Sequence, residues 1–401
     1  MKSEQSTNIQ SENTGLLIRV STYLLMFSFA ISVTMLSPMM PEIIKQFSLK
    51  LSQGGLILTL QSIGGIIVVV LAGIFADRLS KGKLLLLGFF LYILCLFLIS
   101  IAPLFSVLLG LSFIFGIGSR VVDTLSNAYI SDLFPKKKRR YLNILHSIFG
   151  VGALIGPVYT RFLLDSGFSW QRIFRFLGYA SLPILVLFYL SQGSKNDLKE
   201  KKNNSGEQEH LTTLLKNKQI WLLSIIMFFY VGHQSSMMLW IPMYIETYLK
   251  GSAFLASLSL SIYWVGMIIS RMTFSYITRN HKNSVLIRWT SLIGGILLFI
   301  GLYSKQTWFV IIFLALSGLL TGAFIPLLID VVSSRYPRNT GAATSILFFS
   351  LNISIMVFPW LVGLIAENIS FQWGMLFATA SLSIIFFFTY MMKEEEVQRE
   401  N

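Results

Sequence analysis

The sequence is short of charge. Only 12% of its 401 residues are ionisable side chains of Asp, Glu, Lys or Arg, where a soluble domain carries roughly a quarter. A water-facing exterior is therefore excluded for most of the chain. Cysteine is almost missing: Cys95 stands alone, which rules out an intramolecular disulfide and leaves the redox compartment unread. The four histidines and Cys95 show no metal-ligand spacing, so no metal is expected. No Gly-x-x-x-x-Gly-Lys-Ser/Thr run occurs, which excludes an ATP-driven pump within this chain. No serine, histidine and aspartate meet in a catalytic context, so neither an enzyme nor a cofactor is expected. Alternation is lacking as well. Leu84-Leu85-Leu86-Leu87 and Ile384-Ile385-Phe386-Phe387-Phe388 are unbroken apolar runs, whereas strands of a membrane β-barrel alternate over ~10 residues.

What the chain has is apolar length. Hydrophobic residues make up 54% of it, and a membrane-spanning helix needs roughly 20 in succession. Polar breaks separate twelve such stretches: 16–37, 51–76, 84–102, 104–133, 141–164, 170–191, 219–241, 252–277, 285–304, 307–333, 341–366 and 372–392. Lipid offers no water to backbone amides, so these segments are expected to be helices. Residues 1–14 are polar and lack the basic-then-apolar order of a signal peptide. The fold class expected is an all-α membrane protein with twelve transmembrane helices.

The net charge of +14 raises nucleic acid as a partner, and the distribution of that charge decides against it. The basic clusters are Arg78-Lys81-Lys83, Lys136 to Arg140, and the stretch from Lys195 to Lys218. All fall on segments sharing one side of the membrane with both termini. This is the positive-inside bias, so a cell (plasma or inner) membrane protein with cytoplasmic termini is expected, with the bilayer and not nucleic acid as its partner.

The chain repeats itself. Pro41 pairs with Pro242, Pro135 with Pro337 and Pro157 with Pro359, at offsets of 201 or 202 residues. Gly65 with Gly266, Arg78 with Arg279 and Gly116 with Gly318 follow the same offsets. The longest polar break, 192–217, is charged and rich in Asn, Ser and Gly, which suits a flexible linker. The expected organisation is a six-helix half at 1–191, a cytoplasmic linker at 192–217 and a second half at 218–401. Repeats of equal orientation point to a duplication about an axis along the membrane normal.

Between spans two and three stands Gly73-Ile-Phe-Ala-Asp77-Arg78-Leu-Ser-Lys81-Gly82-Lys83. This run is similar to the signature loop of the major facilitator superfamily, and the resemblance extends over essentially the whole chain. It implies a gating loop built on Gly73, Asp77, Arg78 and Lys81, and halves that rock about a central cavity. The run Asn127-Ala-Tyr-Ile-Ser-Asp-Leu-Phe-Pro135, the Tyr141 to Pro157 segment, Phe229-Tyr230-Val-Gly232 and Tyr263-Trp264-Val-Gly266 resemble fucose- and glucose-permease-like proton symporters. Two departures are plain. Residues 33–38 hold no carboxylate, and His233-Gln234 follow the span-seven glycine where Glu is common in glucose-permease-like proteins. Gly152-x-x-x-Gly156-Pro157 looks like the start of the drug-antiporter motif, so drug/proton antiport stays open beside solute symport.

Charge at membrane depth is costly and marks function. Arg120 and Asp123 lie near the middle of span four, three residues apart and hence on one face. Asn127 continues that stripe. The resemblance places span four at the cavity and Asp123 where related sugar symporters keep an acid. Asp123 is then a proton-binding candidate and Arg120 a grip for an anionic or hydroxylated solute. Tyr230, His233, Gln234 and Asn352 complete the expected cavity set. Arg271 stands nearer the cytoplasmic end, where snorkelling accounts for it. Interfacial anchoring suits Trp240 and Trp308. The expectation is secondary active transport of a small polar solute, with a sugar as candidate, driven by protons or alternatively sodium, by a monomer.

Overall fold

The computed structural model describes residues 2–75, 80–193, 214–278, 281–337 and 339–392. Among these there is no strand, and twelve helical segments are long and apolar enough to cross a membrane. The protein is thus an all-α, multi-pass membrane protein. Its helices are α1 (Lys2–Phe47), α2 (Leu51–Phe75), α3 (Lys81–Ile99), α4 (Phe105–Leu133), α5 (Lys138–Asp165), α6 (Trp170–Gly193), α7 (Lys218–Met243), α8 (Ala253–Ile277), α9 (Asn283–Tyr303), α10 (Thr307–Thr321), α11 (Phe324–Arg335), α12 (Thr340–Asn368) and α13 (Phe371–Thr389). Side chains satisfy amides at several starts: Asn217 accepts from Gln219 N at 2.9 Å, Ser252 from Leu255 N and Ser370 from Trp373 N.

Two boundaries differ from the sequence reading, and proline is the reason in both. The first span was expected to end at residue 37, before Pro38. Instead α1 runs on through Pro38 and Pro41 to Phe47. A proline inside a helix costs ~3 kcal/mol. Met39, Met40 and Ile43 are fully buried on that extension, each contributing ~1.5–3 kcal/mol, and Ser37 Oγ donates to Leu239 O at 2.8 Å. Packing outweighs the proline penalty. The tenth span was expected as one helix over 307–333. It breaks at Gly322-Ala323 into α10 and α11. Gly322 O would accept from residue 326, which is Pro326 and has no amide hydrogen.

The chain forms two compact units. The first comprises Met1–Met35, Ile63–Gly156 and Leu163–Asn204, and the second Leu36–Ser62, Pro157–Phe162 and Ser205–Asn401. In the first, α3 packs on α4 and α6. In the second, α7 packs on α12 and α13, α8 on α10, and α9 on α10 and α13. The second unit also holds the C-terminal end of α1 and the N-terminal part of α2. There Thr59 Oγ1 donates to Met356 O at 2.6 Å, Ser52 Oγ to Glu367 at 2.7 Å, and Lys50 pairs with Glu367 at 3.1 Å. A β-carbon on Gly55 would lie 2.8 Å from Trp360 Cα, and one on Gly363 would lie 2.7 Å from Leu51 O. The expected linker, 192–217, lies mostly outside the described residues.

The internal repeat is visible in backbone contacts. A β-carbon on Gly64 would collide with Phe113 O and lie 3.1 Å from Ile117 N; one on Gly266 would lie 2.5 Å from Ala315 O and 2.9 Å from Leu319 N. All three positions are offset by 202. The equivalent of Gly266 is therefore Gly64, one residue before the Gly65 of the sequence pairing. A second correspondence joins α1/α5 to α7/α12. A β-carbon on Gly152 would lie 2.9 Å from Phe27 O, and Ser354 Oγ donates to Phe228 O. The two six-helix sets are pseudo-repeats with the same close-approach points, as small residues permit.

Candidate functional site

Helix α4 buries Val122, Leu125 and Tyr129 on one side. The opposite side carries the polar stripe, half open. Arg120 Nη1 donates to Asp123 Oδ2 at 2.9 Å, with the side chains 20% and 29% exposed. Asn127 Nδ2 donates to Asp123 O at 2.8 Å, and Ser131 Oγ to Asn127 O at 2.7 Å. Among the described carboxylates of the first unit, Asp123 alone lies in the middle of a spanning helix: Asp132 and Asp165 stand at the ends of α4 and α5. Arg120, Asp123 and Asn127 are thus brought together on one half-open face.

The remaining expected cavity residues lie in the second unit, and they separate. His233 is fully buried, its Nδ1 3.1 Å from Ala378 O of α13. Asn352 is also buried, and its Nδ2 donates within its own helix to Phe348 O at 2.8 Å. Tyr230 and Gln234, one turn apart on α7, turn toward α8 and the broken tenth span. Gln234 Nε2 lies 3.5 Å from Met267 Sδ. The Tyr230 ring sits 4.8 Å from that of Phe324.

Two assignments made from sequence fail here. Arg271 does not snorkel: its Nε donates to Gly322 O at 3.2 Å, taking the carbonyl that Pro326 leaves without a donor. Trp240 is not an interfacial anchor. It is fully buried and its Nε1 donates to Pro359 O at 2.8 Å, whereas Trp308 is 59% exposed.

Of the gating-loop residues, Asp77 and Arg78 lie outside the described residues, and Gly73 falls in α2 where side-chain surroundings are not described. Lys81 is described and pairs with Asp132 at the end of α4. Sequence reasoning missed Asp132. The position 202 residues after Lys81 is Asn283, which also holds a carboxylate: its Nδ2 donates to Asp330 Oδ2 at 2.7 Å. Each unit therefore ties the start of one helix to an acid near the end of a later one. Among the described residues no cluster of His, Cys, Asp or Glu could hold a metal ion.

A family model described as Major Facilitator Superfamily matches residues 22–303 and 287–401. A Protein TsgA homolog of Buchnera aphidicola subsp. Schizaphis graminum is 23% identical over 393 residues, spanning 95% of this chain and 97% of that one. The chloramphenicol resistance protein CraA of Acinetobacter baumannii is 28% identical over 188 residues, 47% of this chain and 44% of that one. Among solved structures, a variant of the nucleoside transporter NupG superposes with a TM-score of 0.78 at 14% identity, covering 94% of this chain and 100% of that chain.

Proposed function

Since the chain belongs to the major facilitator superfamily of transporters, we propose that it is a proton-coupled secondary transporter that moves a small polar solute by alternating access. The observation that supports this most is the Arg120–Asp123 pair on the half-open face of α4. A carboxylate in the middle of a membrane helix is expensive, and its partner neutralises it only while it is ionised. Protonation of Asp123 weakens the pair, frees Arg120 and changes which conformation is favoured. A solute biases that equilibrium through its differential affinity for the two states. In this proposal 1–191 and 218–401 act as the rocking halves, 192–217 joins them, and the loop of Gly73, Asp77, Arg78 and Lys81 gates the motion. The basic clusters support cytoplasmic termini in a cell membrane. A monomer suffices, protons are the coupling ion, and sodium is the alternative. The function proposed is transport and not catalysis.

A sugar or another hydroxylated solute is the preferred cargo. The fold-level likeness to the nucleoside transporter NupG agrees with a polar cargo. Drug/proton antiport is the second reading, favoured by Gly152-x-x-x-Gly156-Pro157 and by the partial likeness to the chloramphenicol resistance protein CraA. Purified protein in liposomes under an imposed proton gradient separates them when labelled hexoses and a cationic dye are assayed side by side. Accumulation of a hexose that collapses with an uncoupler is the expected result. Expulsion of the dye with no hexose movement would replace symport by drug antiport.

A further inference from the structure

Among the described residues of the second unit, Arg271 is a cation with no carboxylate paired to it. Tyr263, Met267 and Arg271 fall four residues apart on α8 and form one stripe. That stripe meets α7 and the broken tenth span. A β-carbon on Gly318 would lie 2.7 Å from Tyr263 Cδ2, and one on Gly322 would lie 2.5 Å from Met267 Cα. Arg271 Nε is bonded to Gly322 O, and Tyr230 packs against Phe324 two residues further on. The Arg271 guanidinium also lies over the ring of Trp264, the residue after Tyr263, 6.0 Å from its centre.

Among the described residues no ion pair includes Arg271. Two acids of this unit are engaged elsewhere, Glu367 with Lys50 and Ser52, and Asp330 with Asn283. Tyr230 and Tyr263 have no solvent exposure, and neither hydroxyl has a hydrogen-bond partner. Two orphaned phenol donors and an unneutralised cation are each costly inside a membrane protein. An anionic group that reached all three would satisfy them together. Arg271 is partly open, and with Nε committed to Gly322 its two Nη groups remain for a ligand. A guanidinium fork matches a planar carboxylate. One cation and two neutral donors suit a single negative charge.

We propose that Arg271, Tyr230 and Tyr263 form a binding site for the carboxylate of a small monoanionic solute. The proposal rests on the transporter reading, because a solute pathway is what brings an anion to this depth, and it narrows the cargo from hydroxylated solutes to those bearing an acid group. Gly322 O explains why Arg271 is ordered; it does not explain the phenols.

The test is equilibrium binding to the purified full-length protein by calorimetry. The probes are acetate, lactate, gluconate and benzoate, each against its uncharged counterpart: acetamide, lactamide, glucose and benzamide. At least one acid is expected to bind about tenfold or more tightly than its neutral partner, as hydrogen bonds to a charged group allow. Arg271→Gln should remove that preference. Tyr230→Phe and Tyr263→Phe should each weaken the acid by about tenfold without lowering the melting temperature, since no protein–protein hydrogen bond is lost. Equal binding of every acid and its neutral counterpart overturns the site, as do phenylalanine variants that bind like the native protein. A hexose driven by the gradient while no acid binds would leave the transporter reading standing and remove this one. Acid binding that needs Tyr263, with no solute following the gradient, would keep the site and remove the coupling.

Discussion

Asp123→Asn should leave a protein that exchanges solute across liposomes yet no longer accumulates it. Asparagine keeps the size of the side chain and an oxygen that can accept from Arg120 Nη1, now 2.9 Å from Asp123 Oδ2. It removes the proton-binding group and the ion pair. Fold and solute contacts are therefore preserved while coupling is lost. One charge moved through about 100 mV is worth about 2.3 kcal/mol, enough to sustain roughly fiftyfold accumulation. The native protein should approach that ratio under such a gradient, and the variant should fall to near unity with counterflow intact. Full gradient-driven accumulation by the variant would remove Asp123 from the mechanism. Arg120→Gln is the companion measurement: it leaves Asp123 without its guanidinium partner and should impair coupling and solute affinity together.

Glycine-to-alanine substitutions should split into two classes of opposite sign. At Gly64 and Gly266 the atoms a new methyl meets are Phe113 O, Ile117 N, Ala315 O and Leu319 N. These are backbone atoms of the facing helix and cannot rotate aside. Overpacking of this kind costs ~1–3 kcal/mol for small additions, and leucine adds far more volume. Gly64→Ala and Gly266→Ala should lower the melting temperature, and Gly266→Leu should abolish recovery of monodisperse protein. At Gly110 in α4 an added methyl would meet nothing within 4 Å. Alanine there improves helix propensity by about 1 kcal/mol, so Gly110→Ala should melt at the native temperature or above. A Gly64→Ala variant as stable as Gly110→Ala would show that the close approach of α2 to α4 is not a fixed contact.

The number of spans was legible in the sequence because apolar length alone decides it. Their ends were not, because proline has opposite consequences in different surroundings. Pro38 and Pro41 sit inside a continuous helix since Met39, Met40 and Ile43 are buried beside them. Pro326 opens a helix because Gly322 is four residues before it and Arg271 can serve the freed carbonyl. The repeat was readable, but its register shifted by one at Gly64 because adjacent glycines look alike until one of them meets a neighbour. At the candidate site, the Arg120–Asp123 pair followed from spacing along one helix. The scattering of His233, Asn352 and Tyr230 did not, since each depends on which neighbour its side of the helix meets. A buried histidine bonded to Ala378 O and a solute-facing one have the same sequence. Asp132 was passed over because its partner, Lys81, is 51 residues distant.

The order of synthesis and the order of packing disagree in this chain. Residues 36–62 belong to the same compact unit as 205–401, so Gly55 emerges about 300 residues before the Pro359-Trp360 backbone it is built to meet. At ~5–20 residues per second that is an interval of about 15–60 s. Throughout most of it the C-terminal end of α1 and the N-terminal end of α2 are without their partners: Ser37 waits about 200 residues for Leu239, and Thr59 and Ser52 about 300 for Met356 and Glu367. Maturation of the first helices is thereby made conditional on the eleventh span, and a ribosome that stalls before it leaves those ends unpaired and open to membrane quality control.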